Sequence, residues 1–167
     1  TADPVVCGDG VLVSSRNSRL YRLRLADGAP VWTYYHAGSW VESAPRVAGG
    51  VAFMGSSDLR VVRAFDPATG ATQWSTDVLG WSWGTPVLVG NTVYAGTAGA
   101  VGYPIAQAGG LVALDRRTGA ARWRVVFPTV AGGYVAGVAG SPVAADGLVF
   151  CAGQDGVLYA FPAEADH

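Results

Sequence analysis

The sequence repeats itself at an interval of about forty residues, and a repeat of this kind strongly limits the folds open to the chain. A proline opens each unit, and the intervals between them are 41, 41 and 56 positions, at Pro4, Pro45, Pro86 and Pro142. A glycine also stands four positions before a tryptophan in the first three units, as Gly28–Trp32, Gly70–Trp74 and Gly119–Trp123. Two markers at a fixed period predict several copies of one supersecondary unit, each packed against the next.

Each unit has the pattern of short strands joined by tight turns. GVLVSS, GVAFMGS, NTVYAGT and GLVFCAG are rich in β-branched and aromatic residues, and turn residues precede them. A third strand and a tryptophan-bearing fourth strand follow in the first three units, whereas the last unit has three strands. No segment shows the 3.6-residue period of an amphipathic helix. The sequence therefore predicts an all-β chain with unit boundaries near 3–40, 41–83, 84–138 and 139–163.

The turns DPATG and DRRTG account for the regular spacing of aspartate, glycine and tryptophan. We expect Asp66 and Asp115 to accept hydrogen bonds from the amides of their own turns, and Gly70 and Gly119 to take the left-handed conformation that closes each turn. Sheets arranged radially around an axis separate with distance from that axis, so a large side chain is needed between their outer strands. This role is predicted for Trp32, Trp74 and Trp123.

The pattern A-x-D-x-x-T-G-x-x-x-W resembles the PQQ-like (pyrroloquinoline-quinone-type) β-propeller repeat. The second and third units match it from Ala64 to Trp74 and from Ala113 to Trp123. The first unit departs from it, with Arg24 at the aspartate position. The resemblance implies four-stranded antiparallel blades, about four in this chain. It covers a family that includes quinoprotein dehydrogenases, an outer-membrane assembly lipoprotein and sensor domains of actinobacterial receptor kinases.

The strand count raises the question of how the ring closes, because propellers that this repeat resembles usually have seven or eight blades. Three arrangements are open. The chain is the C-terminal half of an eight-bladed propeller whose missing N-terminal part supplies the last strand; two copies form a homodimer that completes the ring; or four blades close alone.

Composition excludes several classes of partner. The net charge is −1, which gives no electrostatic case for nucleic acid, and no apolar run is long enough to span a membrane. All eleven basic residues are arginine, which we interpret as a GC-rich coding bias. Cys7 and Cys151 both lie among strand residues and are predicted to be buried free thiols. The resemblance implies a bacterial protein that is secreted, periplasmic or on the cell surface.

The loops predict where a binding site lies. Propeller topology puts the loops from second to third strands, and from one blade to the next, on the same face. These include the long segments HAGSWVES, LGWSWGT and TAGAVGYPIAQAGG, and irregular loops on a rigid scaffold collect binding residues. The residues expected to gather on that face are Trp40, Glu42, Trp81, Trp83, Tyr103, Gln107 and Tyr134.

Among these residues, Trp81 and Trp83 lie two positions apart and so point the same way in an extended chain. Such a pair suits stacking on a sugar, a quinone ring or an anchor residue of a protein, although both can also be plugs between blades. Glu42 either binds a cation or is a solvated or capped carboxylate.

No catalytic or metal-binding motif is evident in the sequence. His36 and His167 are isolated, and no Ser-His-Asp or HExxH arrangement can be drawn. We therefore expect a non-catalytic scaffold without a cofactor that binds a protein or a small molecule. The alternatives are a fragment of a quinoprotein alcohol or sugar dehydrogenase, which would use PQQ with Ca²⁺, and the extracytoplasmic sensor domain of a receptor kinase.

Overall fold

The computed structural model describes residues 2–129 and 135–163, and in these ranges the chain forms four antiparallel sheets. Each sheet is one blade, and in the first, second and fourth sheets the strands follow one another as a meander. Blade 1 contains β1 (Val5–Cys7), β2 (Gly10–Ser15), β3 (Arg19–Arg24) and β4 (Pro30–Tyr35). Blade 2 contains β5 (Arg46–Ala48), β6 (Val51–Gly55), β7 (Val61–Phe65) and β8 (Thr72–Asp77). The predicted all-β propeller architecture is confirmed.

The remaining two blades depart from four strands in opposite directions. Blade 3 contains β9 (Val87–Val89), β10 (Thr92–Ala100), β11 (Gly110–Asp115), β12 (Ala121–Val126) and β13 (Val135–Gly137). Blade 4 contains β14 (Val143–Ala145), β15 (Leu148–Ala152) and β16 (Leu158–Pro162). The fifth strand of blade 3 was not predicted; it pairs with the far end of β10, which is longer than the corresponding strands of the other blades.

The repeated tryptophans contact the next blade at the first two junctions between blades. The indole Nε1 of Trp32 donates to the carbonyl of Ala68 at 3.0 Å. The Nε1 of Trp74 donates to the carbonyl of Arg116 at 3.0 Å. Each indole thus lies over the turn before the fourth strand of the next blade. At the third junction Trp123 stands 5.9 Å from the ring of Phe161 in blade 4.

An aspartate and a glycine shape each of the turns beneath these indoles. Asp66 Oδ1 accepts from the amide of Ala68 at 2.7 Å, and Asp115 Oδ1 accepts from the amide of Thr118 at 2.8 Å. Gly70 and Gly119 have φ values of 76° and 75°. A hydrogen bond from Arg122 and further bonds from the Thr118 turn hold the pKa of Asp115 well below its usual range.

Three apolar clusters form the core, and each joins residues from neighbouring blades. Cys151 belongs to the third of these junctions, and burial raises the pKa of its thiol to about 11. Both cysteines are free, as expected, but Cys7 is only half-buried because it lies on the short first strand of blade 1, so the prediction of two buried thiols is wrong for Cys7.

Candidate functional site

The candidate site lies where loops of blades 1 and 2 meet the long strand of blade 3. The loop between β4 and β5 is held to the loop between β6 and β7, because the amide of Ser57 donates to the carbonyl of Trp40 at 3.0 Å. The loop that follows β8 is held to the same place, because the amide of Ser82 donates to the carbonyl of Ser56 at 3.0 Å. Backbone hydrogen bonds therefore fix two loops between blades against one loop within a blade.

Trp81 is additionally tied to blade 3. Its amide donates to the carbonyl of Ala98 at 2.8 Å, and the amide of Ala98 donates back to the carbonyl of Trp81 at 2.8 Å. This antiparallel bridge exists because β10 continues past the length of an ordinary blade strand. The backbone at Trp81 thus has the rigidity of sheet although it lies in a connection between blades.

The aromatic side chains of the site form one contiguous cluster. Trp81 and Trp83 stack with ring centroids 5.0 Å apart and an interplanar angle of 14°. The ring of Tyr103 meets Trp81 edge-on, with centroids 4.9 Å apart. Aromatic pairs in these geometries stabilise by about 0.5–1.5 kcal/mol beyond the area they bury. The cluster is therefore preorganised before any ligand arrives.

Polar groups fix the orientation of these rings. The indole Nε1 of Trp81 and the hydroxyl of Tyr103 both donate to Asp58 Oδ1, each at 3.0 Å. The Nε1 of Trp83 donates to the hydroxyl oxygen of Ser57 at 3.2 Å. Each of the three rings thus has its polar atom bound to the loop between β6 and β7.

A second group of side chains stands opposite, from blade 1 and the loop that follows it. Arg16 donates through Nε to Glu42 Oε1 at 2.7 Å, and its Nη2 donates to the same oxygen. The guanidinium of Arg16 also lies 5.0 Å from the ring centroid of Trp40, which is a cation–π distance. Trp40 is 48% exposed, whereas Trp81 is 6% exposed.

Between the two groups is a cavity of about 460 Å³, within the range typical of small-molecule sites. Five of the residues expected on the binding face line it. Three further lining residues were not anticipated. The eight together are Trp40, Glu42, Trp81, Trp83, Tyr103, Arg16, Ser57 and Asp58.

Gln107, which was also expected on the binding face, does not line this cavity. Gln107 lines a separate depression beside Phe127, and its amide oxygen accepts from the amide of Ala100 at 2.9 Å, so its side chain braces the insertion in blade 3. Tyr134 lies outside the described residues. Trp81 offers the cavity little surface, because Trp83 and Tyr103 cover it, and it orients Trp83.

Arg16, Ser57 and Asp58 were not predicted because they lie in the short loops between the second and third strands and not in the long loops. The repeat itself contains the signal that would have found two of them. Arg16 and Ser57 are 41 positions apart, which is also the interval from Pro4 to Pro45. They therefore occupy equivalent positions after β2 and β6, and both line the cavity.

The loops around the cavity contain four of the five described non-glycine residues with positive φ: Ser18, Ala37, Arg60 and Leu79. Such conformations often cluster at functional sites. Here, however, Ser18 and Arg60 are 42 positions apart, and so are Ala37 and Leu79. The repeat geometry accounts for both pairs, and we draw no functional conclusion from them.

Comparison with known proteins places the chain in a family. The family model described as outer membrane protein assembly factor BamB matches residues 1–166. The chain belongs to this family. The predicted resemblance to the PQQ-like repeat is confirmed by that match and by solved structures of quinohemoprotein alcohol dehydrogenases. No curated protein matches the chain.

Solved structures show the same fold at low sequence identity. BamB from Moraxella catarrhalis is 22% identical with a TM-score of 0.70, and the match covers 97% of this chain and 44% of that one. Quinohemoprotein alcohol dehydrogenase from Comamonas testosteroni is 18% identical with a TM-score of 0.79, covering 95% of this chain and 33% of that one. This member of the family thus spans less than half the length of either protein.

A third solved structure matches along nearly its whole length. The computationally designed Ika4 protein is 14% identical with a TM-score of 0.68, and the match covers 98% of this chain and 93% of that one. A chain with about this number of blades is therefore known as a solved protein structure in its own right.

Two further features were sought in the described residues: a metal-binding cluster and a membrane-spanning helix. In residues 2–129 and 135–163, no three histidine, cysteine, aspartate or glutamate side chains gather in an arrangement that could hold a metal ion. Over the same ranges, no helix is long and apolar enough to cross a membrane.

Proposed function

We propose that this chain is a non-catalytic binding scaffold and that the cavity between blades 1, 2 and 3 is its binding site. The observation that carries the proposal is the convergence of side chains from several loops on one cavity whose rings are already hydrogen-bonded in place. Preorganised aromatic surface next to a few fixed polar groups is what small-molecule and anchor-residue sites require.

The proposal extends to partners and location. The matched family description names an outer membrane assembly factor, which supports a protein partner and an extracytoplasmic location for this chain. Among the described residues β16 pairs with β15 alone, which supports completion of the ring by a further strand, supplied by a second copy or by additional blades. Sedimentation equilibrium separates these arrangements, because a monomer in solution excludes the second copy.

A quinoprotein dehydrogenase is the alternative, and the residues of the cavity do not fit its cofactor. PQQ carries three carboxylates, whereas the cavity presents Glu42 and Asp58 and its arginine, Arg16, is engaged by Glu42. Ca²⁺ takes six to eight oxygen ligands in proteins, and Glu42 Oε1 is already bound to that arginine. We assign no redox step to these residues. Reduction of a dye by an alcohol or sugar in the presence of PQQ and Ca²⁺ would overturn the non-catalytic proposal.

The binding site itself can be tested by mapping. A panel of glucose, benzoate, tetramethylammonium and short peptides would be titrated into ¹⁵N-labelled protein. We expect at least one class to shift the amides of residues 40–42, 57–58 and 81–83, and Trp83→Ala to abolish those shifts. A matched control is Tyr35→Ala, because Tyr35 is an exposed aromatic residue with Arg19 over its ring but lies outside the cavity. Shifts confined to other surfaces would refute the assignment of the site.

A further inference from the structure

The charges that line the cavity do not cancel. Arg16, Glu42 and Asp58 are its charged side chains, which gives a formal excess of one negative charge. Arg16 and Glu42 form an ion pair, so Glu42 is largely neutralised. Asp58 has no cationic partner among the described residues, since its contacts are the indole of Trp81 and the hydroxyl of Tyr103.

The hydrogen bonds leave acceptor capacity on both carboxylates. The two donors to Asp58 bind the same oxygen, Oδ1, and the two nitrogens of Arg16 bind the same oxygen of Glu42, Oε1. No described residue donates to Asp58 Oδ2 or to Glu42 Oε2. An ionised carboxylate can accept about four hydrogen bonds, so each of these groups can still bind a donor from a ligand.

The aromatic rings that line the cavity also favour a positively charged ligand. Indole rings attract cations over their faces more strongly than phenol or benzene rings do. The contact of Arg16 with Trp40 is an example within the site, because a guanidinium already lies over one of its indoles. Trp83 is stacked on Trp81 through one face and contributes to the lining of the cavity beside Asp58.

We infer that the cavity binds an organic cation, an ammonium or guanidinium group that pairs with Asp58 and lies against the rings of Trp83 and Trp40. This inference rests on the proposed function and names the ligand class of the same site. A phosphate or carboxylate ligand would be repelled by the charge of Asp58, which has no cationic partner among the described residues. A free cation and a basic side chain of a partner protein share the chemistry.

Calorimetric titration with choline and its uncharged isostere 3,3-dimethyl-1-butanol isolates the charge, because the two differ in a quaternary nitrogen and little else. We expect choline to bind about tenfold more tightly than the isostere. Asp58→Asn should remove most of that preference and leave binding of the isostere unchanged. Asp27→Asn is the matched control, since Asp27 is an exposed carboxylate that pairs with Arg24 away from the cavity.

Arg16→Met provides the sharper test. Loss of the guanidinium frees Glu42 and uncovers Trp40, so choline affinity should rise by about threefold or more. A ligand that Arg16 itself holds, such as an anion or a hydroxyl-rich sugar, would instead bind more weakly to this variant. Thermal unfolding of each variant, compared with the parent chain, separates a binding effect from a folding effect.

The outcomes separate failure of the cation assignment from failure of the proposed binding function. Equal binding of choline and its isostere, or weaker choline binding by Arg16→Met, overturns the cation assignment while a cavity ligand remains. Absence of choline binding at millimolar concentration also overturns it, and the broader panel then decides whether the cavity binds anything. A peptide Gly-Gly-Arg-Gly-Gly that binds more tightly than arginine amide identifies the cation as a side chain of a partner, whereas equal affinity identifies a free small molecule.

Discussion

The junction between blades 1 and 2 and the junction between blades 2 and 3 use the same outer contact but differ beneath it. In both, an indole donates to a carbonyl of the next blade's turn. Below the indole, the first junction buries His36 and Arg63, whereas the equivalent positions of the second junction are Val78 and Val112. The repeat thus requires the indole contact at both junctions, whereas the side chains buried below it can be either polar or apolar.

The polar groups of the first junction are incompletely satisfied. Arg63 is 2% exposed and lies 3.5 Å from the ring centroid of Tyr34. Within residues 2–129 and 135–163, however, its Nε and Nη2 have no hydrogen-bond partner, and neither has His36 Nε2. Buried polar atoms without partners reduce stability, and cation–π contact offsets part of that loss. We therefore expect the first junction to be the weaker one and blade 1 to separate first.

The largest expected effect comes from removal of the indoles. Trp74 is 8% exposed and belongs to the apolar cluster, so Trp74→Ala should lower the free energy of unfolding by about 3–5 kcal/mol. Trp32 is only half-buried, and Trp32→Ala should lower it by about 2 kcal/mol. Urea unfolding of both variants measures the difference. Equal losses would show that the two junctions are energetically alike.

Acid should weaken the first junction selectively. Burial, assisted by the positive charge of Arg63, lowers the pKa of His36 from 6.5 to about 4. Between these values the unfolded chain binds a proton that the folded chain does not, so this contribution is complete above pH 6.5 and is lost as the pH falls to 4. The loss should reach up to about 3 kcal/mol.

Chemical denaturation at pH 7.0 and pH 4.5 would measure that acid effect, and His36→Val would act as the control. Valine occupies the equivalent position of the second junction at residue 78, so the replacement should remove this part of the pH dependence. If the unfolding free energy of the variant still fell by the same amount between pH 7.0 and pH 4.5, the acid sensitivity would belong to other groups.

A smaller difference in stability is expected when the glycines of the turns beneath the two indoles are replaced. Gly70 and Gly119 have nearly equal φ values, so alanine introduces the same backbone strain at both. A Cβ at residue 119 would lie 2.6 Å from the ring of Trp74, whereas one at residue 70 would lie 3.1 Å from the ring of Trp32. Gly119→Ala should therefore destabilise by about 1–2 kcal/mol more than Gly70→Ala in the same unfolding assay. The reverse order would mean that Trp32 is the more tightly held indole.

The smallest expected effect is at Arg63. Arg63→Met keeps much of the side-chain volume and removes two unpaired buried donors, but it also loses the contacts with Tyr34 and Phe65. These changes should nearly cancel, leaving the unfolding free energy within about 1 kcal/mol of the parent. A loss of more than about 3 kcal/mol would show that the arginine stabilises the junction despite its incomplete hydrogen bonding.

The repeat predicted most of the fold because its markers have direct geometric causes. Gly70 and Gly119 close turns that need a left-handed residue, and the tryptophan-bearing fourth strand predicted in each of the first three units corresponds to β4, β8 or β12. The fifth strand of blade 3 was not predictable in the same way, because its pairing depends on how far β10 extends beyond the repeat.

The site was predictable to the extent that long loops and aromatic residues mark it. Burial of Arg63 was not, because a charged residue in a strand is normally exposed, and its contacts with Tyr34 of the neighbouring blade, Phe65 and Thr72 appear only in the folded structure. Asp58 was not predicted because a short polar loop carries no signal of its own, and the indole of Trp81 reaches it from the loop that follows β8.

The bridge between Trp81 and Ala98 limits how blades 2 and 3 can move relative to each other. Because a loop of blade 2 is hydrogen-bonded as a strand to β10 of blade 3, those two blades cannot rotate against each other without breaking the wall behind Trp83. Amides 81 and 98 should therefore exchange with solvent only in concert, and an occupied cavity should slow both.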